Sequence, residues 1–339
     1  MKARSESPQP FHCPRVLLAC REAIFFLFAL AASAALHAQT WPSRPVTIVV
    51  GFAAGGNLDG VARIFGPALA DALGQPVIVE NRPGAGGNIG SAQVARAAPD
   101  GYTLLLLSKG HAASASLYKK LSYDSVGDYR VVGMLVNYPY IIVVPAGSPY
   151  ASLKALADAA HARPGVIDYG TAGIGSGMHL AAELMLAQLK INMQHVPYKG
   201  GNAAQVAMLS GEIPVFFTTP VGMVELHQAG KVRVLGVTTI ERFPKLPDVP
   251  TVAETLAPGF NARGWMALAA PKGTPDAVVA KLNTAIRTAA ARSDVQERLI
   301  NIGTVVENTL APGAAQKFLA DEVAGWKGVV QAARIPLQE

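Results

Sequence analysis

Short runs rich in β-branched residues alternate along the chain with longer stretches whose apolar positions recur every three or four residues. Val46–Gly51 (VTIVVG) is apolar throughout, the pattern of a strand buried on both faces. Asn57–Leu73 follows with Val61, Ile64, Phe65, Leu69 and Leu73 at helical spacing. Val77–Glu80 and Thr103–Leu107 repeat the strand pattern on either side of a predicted helix over Asn88–Ala98. Tyr140–Val144 (YIIVV) is a further strand, after which Pro145–Ser152 turns the chain. A second series then begins. Predicted helices over Leu153–His161, Gly177–Lys190, Ala203–Ser210 and Val221–Ala229 interleave with strands over Asp168–Thr171, Met193–Pro197, Pro214–Thr218 and Val232–Thr238. From Gly264 the order changes: a strand over Trp265–Ala270 precedes helices over Pro275–Ser293, Asp294–Ile302 and Ala311–Ala333. The alternation predicts two α/β lobes, each on a parallel sheet covered by helices, with the C-terminal part returning to the first.

The N-terminus departs from this pattern. Lys2, Arg4, Arg15 and Arg21 precede the 14-residue apolar run Ala23–Leu36. As a helix that run reaches about 21 Å, short of the roughly 30 Å of a hydrocarbon core, so Met1–Ala38 reads as a cleaved export signal and not an anchor. Cleavage falls after Ala38, or after Ala35. Cys13 and Cys20 both lie in this segment, so the mature chain carries no disulfide, thiolate nucleophile or cysteine metal site. Half of the 339 residues are hydrophobic, which excludes wholesale disorder. The net charge of +6 is spread without a run of Lys or Arg, which argues against nucleic acid and leaves room for anionic small molecules.

In open α/β sheets, ligands bind beyond the carboxyl ends of strands, beside helix N-termini. Five turns qualify. The first holds Phe52, Ala53, Ala54, Gly55, Gly56 and Asp59: two glycines let the backbone approach a ligand, the helix that follows offers N–H groups to an anion, and Asp59 either caps that helix or holds a water. The second holds Ser108, Lys109, His111 and Ala112. The third runs from Thr171 to His179 and contributes Gly175, Ser176 and His179. The fourth holds Tyr198, Lys199 and Gly200, and the fifth Thr218 and Thr219. Five such turns shared between two lobes point to a cleft.

Rival chemistries fail on spacing. In Gly84-Ala85-Gly86-Gly87-Asn88-Ile89-Gly90 a dinucleotide fingerprint needs glycine at 89, which is Ile89; the segment reads as a surface or packing loop. Ser176 is no nucleophile elbow, because position 174 is Ile174, and no acid is placed to orient His179. The mature histidines His111, His161, His179, His195 and His227 lack metal-ligand spacing. No cofactor is implied. Trp265, near the return to the first lobe, either closes a pocket or packs a core; Trp326 packs; Arg82 of Asn81-Arg82-Pro83 makes a surface ion pair.

Several segments together resemble a known family. They are Trp41-Pro42-Ser43-Arg44-Pro45, Gly55-Gly56-x-x-Asp59, Gly74 to Gly90 (GQPVIVENRPGAGGNIG), Pro99-Asp100-Gly101-Tyr102-Thr103-Leu104, Leu117-Tyr118-Lys119-Lys120-Leu121, His195-Val196-Pro197-Tyr198-Lys199-Gly200 and Leu246 to Glu254 (LPDVPTVAE). In this order they are similar to the Bug or TctC-like family, the extracytoplasmic solute receptors of tripartite tricarboxylate transporters, over about residues 41–335. The resemblance implies an α/β type II periplasmic binding protein: two α/β lobes with a ligand cleft between them, residues 39–141 and 263–339 forming lobe 1 and residues 142–262 lobe 2. It implies a non-catalytic monomer in the periplasm that takes up a small carboxylate through the Phe52–Asp59 loop and hands it to the membrane subunits of a transporter. A sensor presenting the same solute to a signalling kinase would use the same cleft. Three positions depart from the family pattern: Gly51 replaces a proline, Ser114-Ala115 an Asn-Pro, and Thr218-Thr219 a frequent Asp-Asn. The last argues against an ammonium-bearing ligand, since hydroxyls suit a neutral, carboxylate or aromatic tail.

Overall fold

A computed structural model describes residues 41–307, 310–332 and 337–338. The export signal expected over residues 1–38 lies outside them. The first part of the chain forms β1 (Val46–Val50), α1 (Asn57–Leu73), β2 (Val77–Asn81), α2 (Asn88–Ala95), β3 (Thr103–Ser108), α3 (Lys109–Leu117) and β4 (Tyr129–Pro139). A second group follows: β5 (Ile141–Pro145), α4 (Leu153–Ala162), β6 (Asp168–Thr171), α5 (Gly177–Leu189), β7 (Gln194–Pro197), α6 (Gly201–Leu209), β8 (Val215–Thr218), α7 (Met223–Gln228), β9 (Val232–Val237) and α8 (Val252–Thr255). The last group is β10 (Arg263–Pro271), α9 (Asp276–Ala290), α10 (Ser293–Asn301), β11 (Val305–Val306) and α11 (Pro312–Ala332).

Two sheets result. The first has the order β11-β4-β10-β3-β1-β2 and the second β7-β6-β8-β5-β9. Each carries its own core: Val49, Leu105, Leu107 and Trp265 lie in the first, Ile141, Val143, Phe216 and Met208 in the second. The helices cover the sheets because their apolar positions fall on one stripe; in α1 that stripe is Val61, Ile64, Phe65, Ala68 and Leu69, and Gly74, at φ 70°, stops the helix.

The sheets are mixed, not purely parallel as the apolar runs suggested. β2, β1 and β3 are parallel, as are β7, β6 and β8. β10 runs antiparallel to both β3 and β4, and β5 antiparallel to both β8 and β9. The antiparallel strands are those that carry the chain between lobes, so their direction follows from the crossing. Tyr140 alone separates β4 in the first sheet from β5 in the second, and Ile141 already pairs with Thr218 and Val237.

The two crossings are laced together at Thr238. Its backbone N–H donates to the Tyr140 carbonyl at 2.9 Å and its carbonyl accepts from Ala262 N–H at 2.8 Å. Its hydroxyl accepts from Tyr140 N–H at 2.9 Å and donates to the Ala262 carbonyl at 2.6 Å. Thr238 is fully buried, so these bonds stand out of competition with water.

Candidate functional site

A cavity of about 710 Å³ lies between the sheets. Its wall is built from the segments that leave the carboxyl ends of the parallel strands: Gly51–Leu58 after β1, Pro83–Gly87 after β2, Ser108–Gly110 after β3, Ala172 to Met178 after β6, Pro197–Asn202 after β7, and Thr218 to Gly222 after β8. Three strands of each sheet thus serve it. Tyr118, Tyr138, Tyr140 and Gln205 complete the wall. The lobes meet around this space. A side-chain carbon on Gly110 would lie 3.1 Å from the Gly175 carbonyl oxygen, and one on Gly55 would lie 3.3 Å from the Asn202 amide nitrogen.

Four helices begin at the wall, α1 and α3 from one lobe, α5 and α6 from the other. At α1, α3 and α6 the residue before the helix (Gly56, Ser108, Gly200) accepts no side-chain capping bond. The leading N–H groups therefore lack a capping side-chain oxygen, and the helix dipoles set positive potential there. Only α5 is capped, by Ser176, whose hydroxyl accepts from His179 N–H at 3.3 Å. Among the described wall residues Lys109 and Lys199 are charged and none is Asp or Glu. Lys199 is exposed. Lys109 turns its ammonium into the first lobe, donating to the Arg263 carbonyl at 2.8 Å, 5.3 Å from the Trp326 ring centre. Burial lowers its pKa, opposed by the Glu322 charge.

Asp59 stands behind the wall. Its carboxylate accepts from Gly55 N–H at 2.9 Å, from Arg63 Nε at 2.9 and 3.0 Å, and from Asn81 Nδ2 at 3.0 Å, and that same Asn81 amide donates to the Phe52 carbonyl at 3.0 Å. Burial works against the ionised form, but the bonds from Arg63, Gly55 and Asn81 outweigh it and hold the carboxyl below its ordinary value. Asp59 thus shapes the Phe52–Gly56 loop instead of facing a ligand. At the start of α1, Asn57 is buried with neither amide atom paired.

Four further expected site residues also lie off the wall. His111 and Ala112 are buried inside α3, which begins at Lys109, so they are inward-facing helix positions and not a turn. His111 Nε2–H donates to the Ser125 carbonyl at 2.9 Å and Nδ1 accepts from the Ser91 hydroxyl at 3.0 Å; burial pushes its pKa down to about 4. His179 is turned into the second lobe, where Nδ1 accepts from Gly175 N–H at 3.2 Å and the ring stacks on His195 at 4.0 Å. Burial and then His195 push it down to about 3, and burial pushes His195 down to about 4. Gly175 is likewise off the wall, its N–H engaged by that ring. With Nδ1 so engaged and the Ser176 hydroxyl capping α5, the pair has no nucleophile–base arrangement. The other expected residues, Phe52 to Gly56, Ser108, Ser176, Tyr198 to Gly200, Thr218 and Thr219, are brought together at the cavity.

Sequence reasoning missed several wall segments. Pro83–Gly87, expected as a surface or packing loop, faces the cavity with Gly84, Ala85, Gly86 and Gly87 all at positive φ. Its signal was the glycine cluster directly after a strand. Tyr138 and Tyr140 had no signal beyond an apolar run. Trp265, by contrast, is core: its indole N–H donates to Glu322 at 2.8 Å and it meets Phe318 edge-on.

Residues 61–335 match the family model described as the tripartite tricarboxylate transporter family receptor. Among solved structures, the periplasmic binding protein BugD is 35% identical, with a TM-score of 0.82 over 88% of this chain and 100% of its own. MatC of Rhodopseudomonas palustris with bound malate is 36% identical, with a TM-score of 0.79 over 86% of this chain and 100% of its own. Another R. palustris protein, solved with adipate, is 32% identical, with a TM-score of 0.82 over 88% of this chain and 100% of its own.

Proposed function

The chain belongs to the tripartite tricarboxylate transporter receptor family, whose structural relatives are solute-binding proteins and not enzymes, and we propose that it captures a small carboxylate in the inter-lobe cavity and delivers it unchanged to the membrane subunits of a transporter. Residues 1–38 direct the chain to the periplasm and are removed there. The observation that carries the reading is the convergence of four helix N-termini, two from each lobe, on a wall without an acidic side chain. A carboxylate that leaves water must exchange its solvent bonds for donors of the protein, and backbone N–H groups provide them without burying a second charge. The malate and adipate bound to the two relatives are carboxylates of this kind. A molecule touching both lobes favours the arrangement in which they meet, and a transporter can discriminate that arrangement from a separated one.

The test is a thermal-unfolding panel of mono- and dicarboxylates against their amides and methyl esters. At a ligand concentration 100 times its Kd, binding adds about 2.7 kcal/mol of stability. Acids are expected to raise Tm and their neutral analogues to leave it unchanged. Gly55→Val, at φ +84° and facing Asn202, is expected to abolish the shift. Equal shifts from acids and neutral analogues would reject an anion site.

A further inference from the structure

We infer that the carboxylate this cavity takes is carried on an aromatic ring and is not a short aliphatic acid. The inference rests on the carboxylate reading above and adds the body of the ligand to it. Five aromatic side chains line the cavity: Phe52, Tyr118 and Tyr138 from the first lobe, Tyr140 at the crossing and Tyr198 from the second. Three of them lie against bare backbone. A side-chain carbon on Gly87 would come within 3.2 Å of the Phe52 ring, one on Gly86 within 3.0 Å of the Tyr118 hydroxyl, and one on Gly177 within 2.0 Å of the Tyr140 hydroxyl. The remaining two are held by neighbours. Tyr138 meets Tyr140 edge-on at 5.5 Å, and the Tyr198 hydroxyl donates to Glu212 at 2.7 Å. Fixed aromatic walls on several sides offer stacking and edge contacts to a planar ring, which a flexible alkyl chain meets only at the cost of its own freedom.

Size adds a separate point, that the body of the ligand is larger than a short acid, which is why a second ring enters the test. About 710 Å³ corresponds to roughly two dozen waters at about 30 Å³ each. Malate and adipate, at about nine or ten non-hydrogen atoms, would leave more than half of that space to water. The lobes already approach each other so closely at Gly110–Gly175 and Gly55–Asn202 that one added side-chain carbon would bridge them, which leaves little room for further closure there. Nor does the far wall ask for a second strong charge: Thr218 and Thr219 line it, and the Tyr140 hydroxyl beside them is buried, which together with the neighbouring Tyr138 keeps it protonated.

Isothermal titration of the mature chain with adipate, benzoate and 2-naphthoate tests this. Adipate and benzoate nearly match in size, and naphthoate adds a second ring. Benzoate is expected to bind at least tenfold more tightly than adipate, and naphthoate more tightly still. Tyr118→Leu is expected to weaken benzoate and naphthoate at least tenfold more than it weakens adipate, and so to remove most of that preference; Phe52→Leu serves the same end should Tyr118→Leu misfold. Adipate binding as tightly as benzoate, or a preference untouched by a folded variant of either ring, overturns the inference and leaves the carboxylate reading standing. Failure of all three acids, with the neutral panel also silent or equally bound, overturns both.

Discussion

Lowering the pH from 7.5 to 5.0 should cost this protein a large part of its stability through three histidines. His111 and His179 are buried and His195 partly so, with pKa values pushed from 6.5 down to about 4, about 3 and about 4. At pH 5.0 the unfolded chain has protonated them while the folded chain has not, so the unfolded state binds more protons and stability falls as pH drops below 6.5. Over about 1.5 pH units, at about 1.36 kcal/mol per unit, His111 and His179 each cost about 2 kcal/mol. His195, partly solvated, adds about 1 kcal/mol. Glu183 works in the opposite sense, because burial raises its pKa and the folded state takes up its proton first, which trims the total. A loss of about 4–5 kcal/mol is comparable to the whole stability of many domains. The assay is urea unfolding at pH 7.5, 6.5, 5.5 and 5.0 on the wild type and on His179→Asn, whose amide oxygen can still accept from Gly175 N–H. The variant is expected to lose about 2 kcal/mol of the pH-dependent change. A wild-type unfolding free energy constant to within about 1 kcal/mol over that range, or a variant with an unaltered slope, would refute the assignment of these rings as neutral and desolvated.

Three further outcomes are expected. Gly177→Ala drives a carbon to within 2.0 Å of the Tyr140 hydroxyl, so urea unfolding should show a loss of about 1–3 kcal/mol together with weakened ligand binding. Asp59→Asn removes the charge that Arg63 and Gly55 N–H share, and should lower stability by about 1–3 kcal/mol in denaturant and raise Kd through the Phe52–Gly56 loop, although the side chain touches no ligand. Thr238→Val keeps its shape but deprives Tyr140 N–H and the Ala262 carbonyl of their partner, so amide exchange at Tyr140 should accelerate at least tenfold, while Ala262 N–H, still bonded to the backbone carbonyl of residue 238, and neighbours in β3 stay protected.

Much of the backbone was legible because burial on both faces leaves a plain trace. β1 and α1 follow directly from VTIVV and from the Val61, Ile64, Phe65, Leu69 stripe. β4 left no such trace: Arg130, Gly133 and Asn137 interrupt its apolar run, although the strand is 11 residues long and lies between β11 and β10 in the first sheet. Strand direction was illegible as well, since a buried antiparallel strand such as β10 is as apolar as a parallel one. For the site, loops were readable and individual side chains were not. Glycines after strands mark where backbone must come close to something, but periodicity does not tell that His111 and His179 turn inward or that Asp59 braces its loop from behind. Tyr140 was hidden most completely, because its role comes from the single-residue step between two sheets.

That step has a consequence for how a solute enters. When two bodies swing apart, points near the pivot travel least. Tyr140 sits at one of the two crossings, bound through Thr238 to the other, and it also lines the interior space. In a swing of the lobes about these two crossings it would be the part of the wall that moves least, a landing platform for an incoming molecule while the outer loops are still apart.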